Sequence, residues 1–301
     1  GSLTSIGGHP ITNNLGHTGE LGFILIFNKI LDNSKRIVIE NHLAKYATKT
    51  YLPNYSELSY HIWHQKGDEI FAADIINNKL LYSSNNGTTF TELSFANAVS
   101  IQMGYIFANG TILFCTDKKV YKSANHLASI SEITPLDLSG NAYSPTENYE
   151  NFQASNKIYS QILASGDELI AFGNYTTDDA PVIVWYSING VGLKMAYRFG
   201  TSYDYDARHI HNCIFVSSTG EWYVTTGDSS TQIHWVKGTF NEGAGTWTWT
   251  FVVNGSDTNQ YKCESLQVVD GIFYWGGDMT NGNNANGLWH CAIGNEATIG
   301  N

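Results

Sequence analysis

The fold this 301-residue sequence predicts is an all-β propeller, five-bladed with six blades as the alternative. Two observations predict it. The first is a phrase that recurs five times, in which a tight turn leads into an apolar strand that ends in a small residue beside Asp or Asn. The copies are Gly67-Asp-Glu-Ile-Phe-Ala-Ala-Asp74, Asn109-Gly-Thr-Ile-Leu-Phe-Cys-Thr-Asp117, Ser165-Gly-Asp-Glu-Leu-Ile-Ala-Phe-Gly-Asn174, Thr219-Gly-Glu-Trp-Tyr-Val-Thr-Thr-Gly-Asp228 and Asp270-Gly-Ile-Phe-Tyr-Trp-Gly-Gly-Asp278. The second is that a loop and an aromatic-rich strand follow each copy. Several short strands per repeat, at a period of roughly 40–50 residues, are the signature of propeller blades.

The elements follow in order. Residues 1–57 stand apart: 19–28 read as a strand, and Asp32 caps a helix running to about residue 46, with Ile37, Val38, Leu43 and Ala44 on its apolar period. The propeller domain is then expected over 58–301. Its first blade needs strands near 60–65, 69–73, 80–84 and 90–93, and its second runs over about 95–138. A polar connection over 139–155 is long for this fold and is a candidate functional loop. The third and fourth blades run over about 156–199 and 207–253. The fifth, over about 261–293, lacks an outer strand, which propellers often borrow from the other terminus.

Composition limits the function classes. The net charge is −11 and only 14% of residues are charged, so no basic face is available for nucleic acid. Binding to an anionic membrane is disfavoured for the same reason, and the longest apolar run, 23–27, is too short to span a bilayer. The start, Gly-Ser-Leu-Thr, carries no signal-peptide pattern and reads as a cut or engineered terminus. Cys115, Cys213, Cys263 and Cys291 form no CxxC pair, so a structural zinc site is not expected, and Cys213 and Cys263 read as buried free thiols, with a disulfide as the alternative. The Asn-x-Ser/Thr sequons lie in or beside turns, where chance explains them. No metal and no cofactor is expected. No heptad pattern specifies an oligomer, and a homo-oligomer stays open.

Two resemblances sharpen this reading. Gly19-Glu-Leu21, Ile26-Phe-Asn28, Leu31 and 39–46 resemble the end of a concanavalin-like, laminin-G-type jelly roll, over some 30 residues. The upstream strands of such a domain are absent. The alternatives are a fragment of a longer protein and a helix that flanks or plugs the propeller. Tyr82-Ser-Ser-Asn-Asn-Gly-Thr-Thr-Phe90 resembles the Asp-box, or BNR, hairpin of sialidase-like propellers, with Asn85 in place of the usual Asp. The segments 185–190 and 121–125 are weaker copies. The box is a structural device that supports a propeller, and Arg208-His-Ile-His-Asn212 with the phrase 219–228 resembles a segment of bacterial and phage BNR-type propellers. Sialidase activity is rejected, because a carboxylate-clamping arginine triad cannot be assembled from Arg36, Arg198 and Arg208.

Candidate site residues lie where the repeats differ. In the segment 206–212, strand alternation puts Arg208, Ile210 and Asn212 on one face and His209, His211 and Cys213 on the other. His209 and His211 then point together, as an acid/base or metal-ligating pair or as a pair hydrogen-bonded along the channel. Lys262 and Glu264 share a face of the fifth blade's first strand. With Tyr159, Gln161 and the two histidines they would form a polar pocket. Catalysis is assigned to His209, His211, Glu264 and Lys262, and ligand contacts to Arg208, Tyr159, Gln161, Asp228 and Asp278. The repeat-ending Asp74, Asp117, Asn174, Asp228 and Asp278 would form a ring at one rim; recurrence in every copy favours turn chemistry over a site.

Two function classes follow. The first is a carbohydrate-recognition or adhesion module with a glycan partner, as on a phage tail fibre or a bacterial surface, hence extracellular, cell-surface or virion-borne. The second is a polysaccharide-processing hydrolase or lyase. A structural protein-interaction propeller is a third reading. Binding is preferred, because no catalytic set in the sequence is specific.

Overall fold

The computed structural model describes residues 60–145, 152–154, 157–175, 181–200, 207–227, 230–255, 259–277 and 288–296. They form five antiparallel sheets that follow one another along the chain. Blade 1 comprises β1 (Tyr60–Lys66), β2 (Glu69–Asp74), β3 (Lys79–Ser83) and β4 (Thr91–Ser94). Blade 2 comprises β5 (Ile101–Ile106), β6 (Ile112–Thr116), β7 (Val120–Ala124) and β8 (Ser129–Ile133). Blade 3 comprises β9 (Tyr159–Ile162), β10 (Glu168–Gly173), β11 (Val182–Ile188) and β12 (Lys194–Phe199). Blade 4 comprises β13 (Ile210–Val216), β14 (Glu221–Thr226), β15 (His234–Asn241) and β16 (Thr246–Asn254). Blade 5 has three strands among the described residues: β17 (Cys263–Val269), β18 (Ile272–Gly277) and β19 (Leu288–Ala292). This is the predicted β-propeller. The strand–helix segment expected over 1–57, and with it the idea that it completes a blade, lies outside the described residues.

The recurring phrase is the second strand of every blade, and its burial explains its composition. β10 is buried at every position and β6 likewise, because neighbouring sheets cover both faces. A strand covered twice has no reason to alternate and becomes a continuous apolar run. Four clusters fill the spaces between blades 1 and 2, 2 and 3, 3 and 4, and 4 and 5. Each large apolar side chain moved into them contributes about 1.5–3 kcal/mol. The small residue at the strand end has a packing cause at Gly173: a Cβ there would lie 2.5 Å from Ile210 Cβ in the next blade.

The loop over 82–90 is built from its own side chains. Ser83 Oγ accepts from the amides of Asn85 and Gly87 at 3.2 and 2.8 Å. Asn85 Oδ1 accepts from Thr89 N at 2.9 Å, and Gly87 takes a positive φ of 79° that the tight reversal requires. The long connection after blade 2 is less free than its polarity suggests. Leu136 bridges to Lys194 on β12, and Leu136 N donates to Leu193 O at 2.9 Å. Tyr143 and Phe152 both pack on Trp185, and Phe152 is fully buried. The described parts of this expected functional loop therefore serve to seal blades 2 and 3.

The first strands carry a second repeated device. Pairing with the second strand skips one residue at Trp63, Gln102, His211 and Glu264, in blades 1, 2, 4 and 5. A β-bulge of this kind breaks the alternation of faces. Ile210 and Cys213, expected on opposite faces, consequently share one core cluster. All four cysteines are free, and Cys115, Cys213 and Cys263 are buried.

Candidate functional site

The bulge in β13 decides what the two histidines do. It turns His211 and Asn212 toward blade 5, correcting the expectation that they face opposite ways. His211 Nδ1 lies 3.0 Å from Cys263 O, and Asn212 Nδ2 donates to the same carbonyl at 3.0 Å. Asn212 Nδ2 also donates to Thr225 Oγ1, while Asn212 Oδ1 accepts from Leu266 N. His209 and His211 do come together, with their Nε2 atoms 2.7 Å apart. A carbonyl only accepts, so Nδ1 is the donor of His211, and the two Nε2 atoms share one hydrogen between them. Tyr175 stacks on the His209 ring at 4.3 Å. Both histidines and Asn212 are buried, so this group is an interblade clamp with its polar atoms turned on one another and on the main chain.

The other expected site residues scatter. The Glu264 carboxylate stands 3.7 Å from His211 Nδ1 but is 59% exposed. Lys262 is half-buried and Arg208 exposed on the segments leading into their strands. Gln161 Oε1 accepts from the Trp222 indole N–H at 2.9 Å, which assigns it to core packing between blades 3 and 4. Tyr159 lines a small cleft of about 180 Å³ with Phe215, Ser217 and Gln267, and Lys157 Nζ lies 5.5 Å from its ring centre. Neither the cleft beside Tyr159 nor the one at the β11–β12 turn brings these residues together with the histidines. Asp228 and Asp278 lie outside them. Of the other repeat-ending residues, Asp74 is occupied by its own turn, accepting from the amides of Ile76 and Asn77 and from Asn77 Nδ2. Burial pushes the Asp74 carboxyl up, but these hydrogen bonds outweigh it and hold the group below its ordinary range. Asn174 likewise bonds Ile183 N and Pro181 O. Among the described residues no three His, Cys, Asp or Glu side chains gather as a metal site.

Sequence reasoning missed a polar knot joining blades 1, 2 and 3. Glu168 opens β10 and is buried. Its carboxylate accepts from Tyr105 Oη at 2.8 Å, from Ala108 N at 2.6 Å and from Lys66 Nζ at 3.1 Å. Burial raises its pKa, but the Ala108 amide, the Tyr105 hydroxyl and the Lys66 ammonium together hold it below the usual range. Beside it His64 accepts the Ile106 amide on Nδ1 at 3.1 Å and lies against the Tyr105 ring at 4.1 Å. Burial, assisted by the positive charge of Lys66, pushes His64 down from 6.5 to about 4. The one available signal was an acidic residue opening an otherwise apolar strand; its partners come from blades 60 to 100 residues away.

A pH prediction follows. Because the folded His64 binds its proton more weakly than the unfolded one, its contribution is complete above pH 6.5 and is lost as pH falls toward 4. The urea midpoint should drop across that window and drop less in His64→Gln. An identical pH profile for the variant would rule out His64 as the source.

A third feature is an aromatic seam between the outer strands of blades 3 and 4. Trp247 and Trp249 stack at 5.0 Å and 15°, Tyr197 packs on Trp249 at 5.6 Å, and Phe251 continues the row. Phe251 is 40% exposed, and Trp247, Trp249 and Tyr197 are partly exposed.

No protein-family model matches the chain, and no curated protein matches it. Solved structures similar to it include YCF48 bound to D1 peptide, at 10% identity and a TM-score of 0.40 over 76% of this chain and 64% of that one. A putative 6-phosphogluconolactonase from Bacteroides uniformis is similar at 11% identity and 0.41, over 71% and 62%. A streptogramin B lyase is similar at 12% and 0.42, over 80% and 70%. The chain thus spans less than two thirds of the first two. At this distance the propeller assignment rests on the chain's own five sheets.

Proposed function

We propose that this chain is a carbohydrate-recognition or adhesion propeller that binds a glycan. The observation that carries the reading is the partly exposed row of Tyr197, Trp249 and Phe251 on the outer strands of blades 3 and 4. Aromatic faces offer large, rigid apolar area at little entropic cost, and the C–H faces of sugar rings stack on such surfaces. The acidic, weakly charged composition favours a neutral partner over a polyanion. The Ser83–Asn85–Thr89 hydrogen bonds support the likeness to an Asp-box hairpin. A surface role on a cell or virion, outside the cytoplasm, accords with this reading. The polysaccharide-processing alternative relied on His209, His211, Lys262 and Glu264. Its histidines are buried in the clamp, which gives that alternative less support.

The test is a glycan array with the intact chain, alongside a reducing-sugar and unsaturated-product assay. Binding without turnover is expected. Trp249→Ala should weaken binding roughly 30-fold, the effect of removing an aromatic anchor, while Trp249→Phe retains most of it. Absence of any glycan binding, or turnover of the glycans bound, defeats the proposal.

A further inference from the structure

A cleft of about 490 Å³ lies between the outer part of blade 2 and the β11–β12 turn. Its inner wall is apolar, with Ile133, Leu136 and Leu193. On that wall sits Ser187, 1% exposed, whose hydroxyl has no hydrogen-bond partner among the described residues. Alternation along β11 puts Ser187 on the same face as Ile183 and Trp185, which belong to the cluster shared with blade 2. A buried hydroxyl without a partner has lost its hydration with nothing in exchange. A ligand that supplies the missing hydrogen bond makes good that loss.

The polar groups of the cleft are distributed unevenly. Asp167, Asn189 and Lys194 border it, with Asp167 and Asn189 joined by a 2.7 Å hydrogen bond. Lys194 is exposed and Asp167 and Asn189 are partly so. A matching ligand is therefore polar on its outer side and apolar at its inner end, with one hydrogen-bonding group among the apolar atoms. An acetamido substituent on a sugar has this form. Its methyl group suits Ile133, Leu136 and Leu193, its amide suits Ser187, and ring hydroxyls suit a carboxylate, an amide and an ammonium. The volume lies within the range of small-ligand sites.

We infer that this cleft is a subsite for an N-acetylated hexosamine. The inference rests on the glycan-binding reading and names a second, independent contact for it.

The experiment uses the intact chain and two probes, N-acetylglucosamine and glucose, followed by saturation-transfer NMR and calorimetric titration. The acetyl methyl should receive the strongest transfer, and glucose should bind at least 10-fold more weakly. Ser187→Ala should reduce N-acetylglucosamine affinity about 10-fold while leaving the urea midpoint unchanged or higher, because an unpartnered buried hydroxyl is removed. Val191→Trp, at an exposed rim position, should block the cleft without touching the core. Equal binding of both sugars, or binding unaltered in both variants, overturns the subsite. If neither sugar binds while Trp249-dependent glycan binding persists, the subsite fails and the adhesion reading stands. If no glycan of any length binds, both fail.

Discussion

Trp235→Ala is expected to lower the free energy of unfolding by about 3–5 kcal/mol, the range for removing a fully buried large aromatic side chain. Trp235 is wholly buried between blades 4 and 5. Its ring meets Trp275 at 5.0 Å and 68° and Phe273 at 6.0 Å and 90°, both edge-to-face. Such pairs add about 0.5–1.5 kcal/mol each beyond area burial. Its indole N–H donates to Tyr261 O at 3.0 Å, so the variant also leaves a buried carbonyl without that donor. Trp235→Phe keeps most of the ring area and should lose about half as much. Urea unfolding measures the totals. Hydrogen exchange should show the loss first in β17 and β18, because blade 5 has three described strands and β18 alternates buried and half-buried residues. A loss below about 1 kcal/mol would mean that blade 5 is held by something other than this cluster.

The second large effect is expected at Glu168. Glu168→Ala strips the acceptor from the Ala108 amide and the Tyr105 hydroxyl, both at blade junctions. Stranding two such donors, together with loss of the ion pair, should destabilise the fold by about 2–4 kcal/mol. The ion pair itself is the smaller part, because the Lys66 side chain is 36% exposed. Lys66→Met should therefore change stability by less than about 1 kcal/mol. The sign with pH is set by the lowered carboxyl. Stability supplied by Glu168 is complete above its ordinary value of 4.5 and is lost as pH falls through the lower folded value. Acid unfolding of Glu168→Gln should accordingly be shallower below pH 4.5 than that of the unaltered chain. Matching acid limbs would show that other carboxylates govern the transition.

The blades were legible because their physics is local. The turn before each second strand needs a residue that tolerates positive φ, and Gly67, Gly110, Gly166, Gly220 and Gly271 meet that need. The strand that follows is covered on both faces in most blades, so its apolar run is visible without any partner in view. The four strands of the first blade and the approximate spans of the other blades were read from this pattern alone. The site was less legible. His209 and His211 were correctly paired by alternation, but the bulge that turns Asn212 and His211 to the same carbonyl leaves no mark in the residue pattern. Gln161 and Tyr159 look like polar pocket residues in isolation. Trp222 and the cleft beside Phe215, which occupy them, lie more than 50 residues away.

The repeat, the strand order within each blade and the acidic, arginine-poor composition depend on neighbours along the chain and are readable from residues alone. Which polar residues are shared between blades depends on contacts that no single stretch of sequence contains. Glu168, Asn212 and Ser187 have similar surroundings in sequence, on or beside apolar strands. One is saturated by three donors, one clamps two blades, and one is buried without a partner among the described residues. The difference arises from which neighbouring sheet faces each side chain, and that is set by the register and curvature of strands far apart in the chain.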